Sequence, residues 1–283
     1  MIEEIVALFE YRFFNYAIIA AILASVACGI IGSYIVAKRM VFISGGITHA
    51  SFGGIGIAYF FGVNPILGAA LFSILSGLGI EWASMKSNIR EDSAIGILWS
   101  FGMALGIIFI FLTPGYAPNL MSYLFGSILT VSVFDLWSIA ILAVCLIFIF
   151  FFFYHLILFV AFDEEYARSH NIPVDGIKYL IISIIAITIV LNIRLVGIIL
   201  VISFLTIPQS TANIFTQKFS SIILLSIFFS VVGSIGGLFI SYFYNIPSGA
   251  TIIFVFVILF AMSKLIKAVM IRSSLKKQIS LIK

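Results

Sequence analysis

The chain of 283 residues is 63% hydrophobic and only 9% charged, with 15 Lys and Arg against 11 Asp and Glu. Soluble domains are nearer half apolar and a quarter charged, so a soluble enzyme, a disordered chain and a nucleic-acid binder are all excluded. With a mean hydropathy of +1.28 and a bilayer core of about 30 Å that takes about 20 helical residues to cross, the chain reads as an all-α polytopic membrane protein. Residues 1–283 form a single transmembrane domain.

Nine spans follow in chain order, with eight as the alternative count. The first runs from Phe14 to Val36 and is closed by Lys38-Arg39. Ser25-Val26-Ala27-Cys28 has some likeness to a lipoprotein cleavage site, but Glu3, Glu4 and Glu10 precede the first cation. A cleaved leader starts basic and has a short apolar core, so the span is expected to be uncleaved. A glycine-rich second span covers Val41 to Phe61, and a third opens at Asn64-Pro65 and reaches Ser84. After a charged loop from Lys86 to Asp92, the fourth covers Ser93 to Thr113. From Pro114 to Thr130 helix breakers dominate, with a short re-entrant or interfacial piece at Met121 to Leu129. The fifth span is Ser132 to Phe159, the sixth Ile177 to Leu195, and the seventh Gly197 to Phe215. An eighth covers Phe219 to Tyr244 and a ninth Pro247 to about Ala268.

Placing the N-terminus outside puts thirteen of the fifteen cations on the inner side, leaving Arg12 and Arg194 outside. Cations collect in cytoplasmic loops, so an odd count with a cytoplasmic C-terminus is expected, in the inner (cytoplasmic) cell membrane. Cys28 and Cys145 both sit in apolar runs, where neither a disulfide nor a metal pair is expected. Glu81, Asp135 and His155 fall near span ends and read as interface residues.

The chain contains no Gly-Lys pair and therefore no usual phosphate-binding loop. If ATP drives it, a separate polypeptide holds the nucleotide. Between the fifth and sixth spans, Asp163 suits an N-cap, and Glu164 and Glu165 suit the positive end of a helix. Glu164 and Arg168 stand at i and i+4, and Pro173 stops the helix by Asn171 or Ile172. The expectation is a charged helix of two turns over residues 163–171, read either as a solvated loop or as the seat of a partner.

Inside the second span lies His49, flanked by Thr48 and Ser51. An ionisable group in a membrane is costly and marks a functional site, although one imidazole makes no metal site alone. A second copy of the chain would bring another His49 to a shared axis. In the seventh span Pro208 leaves the carbonyl of Phe204 without its helical donor. Thr206, Ser210 and Asn213 share one face there, at i, i+4 and i+7, and either line a cavity or pack a kink. Pro247-Ser248 reads as helix-start chemistry.

Taken in order, several segments resemble the membrane subunit of metal-ion ABC importers, the permeases for zinc, manganese or iron. They are Val36 to Ser44 leading into His49-Ala50-Ser51-Phe52-Gly53-Gly54, then Glu91 to Ile97, the Phe162 to Ile172 helix, Gly197 to Val201 into Ile207-Pro208, and Ile246 to Thr251. The resemblance implies a homodimer of permeases in membrane lipid, two cytoplasmic ATPase subunits and an external metal-binding delivery protein. It implies a cytoplasmic coupling helix carrying Asp163, Glu164, Glu165 and Arg168. It also implies a metal pathway touched by His49; Thr48 and the Thr206, Ser210 and Asn213 face are added to that pathway as candidates read from the residues themselves. No cofactor is expected in the chain itself; the divalent ion is cargo, and the chain is no enzyme. There is one departure: the family often places Asp four residues before the His, where this chain has Gly45.

A proton- or sodium-coupled secondary transporter is the alternative. Such proteins place carboxylates near the midplane, and here they lie at boundaries or in loops.

Overall fold

The computed structural model describes residues 8–86, 90–114, 126 and 128–282, with backbone alone for 85, 86, 91 and 273–282. Among the described residues nine helices are long and apolar enough to cross a membrane, which settles the count at nine. In chain order the helices are α1 (Arg12–Ala37), α2 (Val41–Phe60), α3 (Pro65–Lys86), α4 (Glu91–Leu112), α5 (Val133–Phe152), α6 (Tyr154–Phe162), α7 (Glu164–Ser169), α8 (Val174–Val196), α9 (Ile198–Phe204), α10 (Ile207–Phe215), α11 (Phe219–Tyr244) and α12 (Ser248–Ile282). The piece expected at Met121 to Leu129 lies outside the described residues except for Gly126, Ile128 and Leu129. The last two belong to a 3-10 turn at Ile128–Thr130.

α1 and α2 are the most enclosed spans, while α4, α5 and α12 turn much of their surface outward. Small residues explain the enclosure of α1: Ala17, Ala20, Ala21, Ala24, Ala27 and Cys28 are all buried. They let α11 and α5 lie close on either side. Two serine pairs meet along the seam of α1 and α11: Ser25 lies 3.4 Å from Ser234, and Ser33 lies 3.4 Å from Ser226. The hydroxyls of Ser25 and Ser33 also donate to Ala21 and Gly29 carbonyls at 2.6 Å, so each is satisfied within its own helix.

α2 is held between α3 and α4. Gly53 and Gly56 lie against Gly102 and Gly106 of α4, and Gly54 against Gly68 of α3, so closely that a Cβ on any of them would overlap the opposing backbone. Close backbone approach of this kind is how helices associate in lipid, where apolar burial offers no drive. α8 packs on both α3 and α2, and also touches α1, joining the glycine-packed group to the α1 group.

Several boundaries differ from the sequence reading. The fifth span bends at Phe153 (φ −104°, ψ 19°) and divides into α5 and α6. Its ladder runs through the bend: Phe153 N donates to Ile149 O, and Ile157 N to Phe153 O, both at 2.9 Å. The last span continues to Ile282 rather than stopping near Ala268. Its start matches the helix-start reading, with Thr251 bonded twice to the Pro247 carbonyl. Between α8 and α9, Gly197 adopts φ 81° and ψ 166°, a conformation essentially restricted to glycine.

Candidate functional site

The loops at one end of the bundle carry α7; they lie where α1, α3, α6 and α10 end and α2, α4, α8 and α11 begin. Asp163 caps α7 as expected, its carboxylate accepting from Tyr166 N at 3.0 Å. The helix ends at Ser169, short of the expected boundary, because Asn171 takes φ 57° and reverses the chain before Pro173. Ala167 seats α7 in a small apolar cluster with Val160 of α6 and Val174 of α8. Glu165, Tyr166, Arg168, Ser169 and His170 face outward.

Glu164 and Arg168, expected as an i, i+4 pair, instead turn to different partners. Arg168 bonds Asp175 in the first turn of α8. Glu164 Oε1 lies 3.3 Å from Lys38 Nζ, and Oε2 lies 2.7 Å from Lys178 Nζ. Burial pushes the Glu164 carboxyl up, but hydrogen bonds and charge from Lys178 and Lys38 outweigh it and hold it below the usual carboxylate range. Lys38 and Lys178 were not expected at the site; their place at the α7 end of α1 and α8 was the available signal.

His49 is half-buried in α2 and stacks on Trp99 of α4, with ring centroids 4.1 Å apart at 9°. Its Nδ1 is buried without a hydrogen-bond partner among the described residues. Thr48 is buried, and its hydroxyl donates to Ser44 O at 2.6 Å within α2. Beside the histidine, a Cβ built at Gly45 would meet Trp99 alone, at an ordinary 3.8 Å. Packing at position 45 therefore admits a Cβ.

The seventh span is broken as its proline implies, into α9 and α10. The Phe204 carbonyl freed near Pro208 accepts from Gln209 Nε2 at 3.0 Å, and the same nitrogen reaches Cys28 O in α1 at 2.9 Å. Gln209 is fully buried and its Oε1 has no partner among the described residues. Sequence reasoning passed over it; an amide directly after a membrane proline was the signal. Thr206 donates to Ile202 O at 2.8 Å. Thr206, Ser210 and Asn213 are all half-buried, so their shared face stays partly open.

No hydrogen bond or ring contact joins His49 to that face among the described residues. α9 packs on α2, whereas α10 packs on α11, α12 and α1. No three His, Cys, Asp or Glu side chains converge among the described residues. One copy alone therefore offers a passing metal ion a single imidazole and scattered oxygen donors, too few for a structural site. At the far end from α7, Asp135 completes a capping box with Ser132 and pairs with Arg194, an architectural role that accounts for its charge.

Residues 10–267 match the ABC 3 transport family. The chain is 35% identical over 256 residues to the manganese transport system membrane protein MntC of Halalkalibacterium halodurans, covering 90% of this chain and 88% of that one. It is 44% identical over 255 residues to an uncharacterized membrane protein of Synechocystis sp., covering 90% and 91%. Among solved structures, PsaBC from Streptococcus pneumoniae in complex with Fab superposes with a TM-score of 0.83 at 31% identity, covering 93% of this chain and 95% of that chain.

Proposed function

Because the chain belongs to the ABC 3 transport family, we propose that it is the membrane permease of an ATP-driven importer for a divalent metal ion, working as a homodimer. Two cytoplasmic ATPase subunits would act on it, and an external binding protein would deliver the ion. The observation that carries this reading is α7: a short helix fixed by Ala167 and Glu164 on one side, with Glu165, Tyr166 and His170 presented outward. A helix built in this way offers an ATPase a firm surface to push. The α7 end is then cytoplasmic, in keeping with the cations gathered there.

Energy is needed because release from a nanomolar delivery protein costs about 12 kcal/mol. A divalent ion moving down 100 mV recovers only about 5 kcal/mol. The half-buried His49, with the Thr206, Ser210 and Asn213 face, would meet the ion in transit, and a second copy would complete a weak, passing set of ligands. Imidazole with hydroxyl and amide oxygens and no thiolate suits manganese or iron at least as well as zinc. Likeness to MntC favours manganese.

The test is uptake of Mn2+ into vesicles holding the permease and its ATPase, with delivery protein added outside. Glu165→Lys with Tyr166→Ala is expected to abolish ATP-dependent uptake and release the ATPase, while the permease stays in the membrane. His49→Ala is expected to lower flux by about tenfold or more, the scale of one lost ligand interaction. Undiminished flux would remove His49 from the path. Uptake by the permease without ATP would favour an ion-coupled transporter.

A further inference from the structure

We propose that Glu164 is a positioning residue which, bonded at once to Lys38 of α1 and Lys178 of α8, carries movement of α7 into the two spans that flank the metal path. This rests on the reading of α7 as the ATPase seat.

The apolar seat of α7, made by Val160, Ala167 and Val174, links it only to the helices on either side of it in the chain. The Arg168–Asp175 pair does the same. The Glu164–Lys38 bond is different in kind, because it reaches a span 126 residues away. The two lysines are well covered, with side chains 23% and 18% exposed, and each takes its own oxygen of one carboxylate. Both carboxylate oxygens are thus engaged, so a shift of α7 pulls α1 and α8 together.

Each braced span leads onward. α8 packs on α2, which carries His49. α1 presents the Cys28 carbonyl to Gln209 just past the α9–α10 break, next to Ser210 and about one turn from Thr206. Behind the brace lies a cavity of about 210 Å³ lined by Tyr34, Lys38, Glu81 and Lys178. α1, α3 and α8 are therefore not packed tightly together at this end, and the lysines have room to move with the carboxylate.

The experiment uses the full complex of permease and ATPase in vesicles, with delivery protein and Mn2+ outside. It reads three quantities: ATPase retained on purification, ATP hydrolysed, and Mn2+ accumulated per ATP. Glu164→Gln and Lys178→Met are each expected to retain the ATPase and its hydrolysis while lowering Mn2+ per ATP by roughly fivefold or more, the lower range of measured coupling between sites. The double variant should be no worse than either single one, as residues acting through one contact are non-additive. The exchange of Glu164→Lys with Lys178→Glu should recover part of the ratio. Should Glu164→Gln fail to reach the membrane, Lys38→Met, which leaves the Lys178 bond, reads the same ratio. A wild-type ratio in these variants overturns the brace, and so does a loss of uptake explained wholly by loss of the ATPase, which would place Glu164 in the docking face instead. Absence of ATP-driven uptake by the unaltered complex would overturn the permease reading itself.

Discussion

Trp99 lies across both His49 and the open position at Gly45, so one aromatic ring shapes the environment of the metal-path candidate. Since a Cβ fits at Gly45, Gly45→Asp should insert and fold normally and set a carboxylate one helical turn from the imidazole. The expected result is a half-saturating Mn2+ concentration lower by about tenfold, equivalent to about 1.4 kcal/mol, measured by uptake across a concentration series. An unchanged value would show that side chains at position 45 do not face the ion. Gln209 makes the opposite case, a residue with no freedom. Gln209→Leu strips the donor from Phe204 O, which Pro208 cannot serve, and should cost about 1–3 kcal/mol for that carbonyl left unpaired, read as a lower unfolding temperature in detergent. His49 was legible because an imidazole amid apolar residues is conspicuous. Gln209 was not, since its importance depends on Cys28, brought to it from another span.

At the scale of single helices, the glycines of α2 do more than permit flexibility. Gly56→Leu would drive a side chain into the backbone at Gly106 and should destabilise the bundle by about 1–3 kcal/mol, the usual range for overpacking. Gly45→Ala, three turns away where the gap to the neighbouring helix is wider, should be close to neutral in the same thermal assay. In α7 the sequence reading found the helix and its Asp163 cap, since capping is local chemistry. It paired Glu164 with Arg168 because spacing was the sole guide; the structure pairs Glu164 with Lys178 of the next span and Lys38 at the end of a distant one, which helical spacing could not reveal. The brace also has a pH signature. The Glu164 carboxyl is held below the usual range, so its stabilisation is complete above the ordinary carboxylate value and is lost as pH falls through the lowered one. Mn2+ per ATP should therefore hold steady from neutrality down to about pH 5, above ordinary carboxylate values. A fall beginning near neutrality that persists in His49→Ala, and so does not belong to the imidazole, would argue against an ionised, lysine-bound Glu164.

Over the whole molecule, hydropathy located every span among the described residues, because lipid demands long apolar helices. What it could not reveal was the interior arrangement: that α8 joins the α2 group to the α1 group, that Phe153 bends one span, and that paired small residues decide which helices touch. Those follow from contacts between segments remote in the chain. The oxygen donors of Thr206, Ser210 and Asn213 were found by spacing, but their distance from His49 was not foreseeable. Within the chain no hydrogen bond or ring contact joins the two groups among the described residues.

The last helix has 35 residues, or about 52 Å at 1.5 Å each, against a hydrocarbon layer of about 30 Å. Its length therefore carries the far end beyond the hydrocarbon layer and into water. That overhang offers a convenient reporter of sidedness. Of the two native thiols, Cys28 is buried and Cys145 faces outward from the middle of α5. A cysteine in place of Ser280, on a background with both replaced by serine or alanine, would react with a membrane-impermeant maleimide only from the side that α7 shares. Right-side-out cells should protect it and inverted vesicles expose it; labelling in intact cells would turn the proposed topology over.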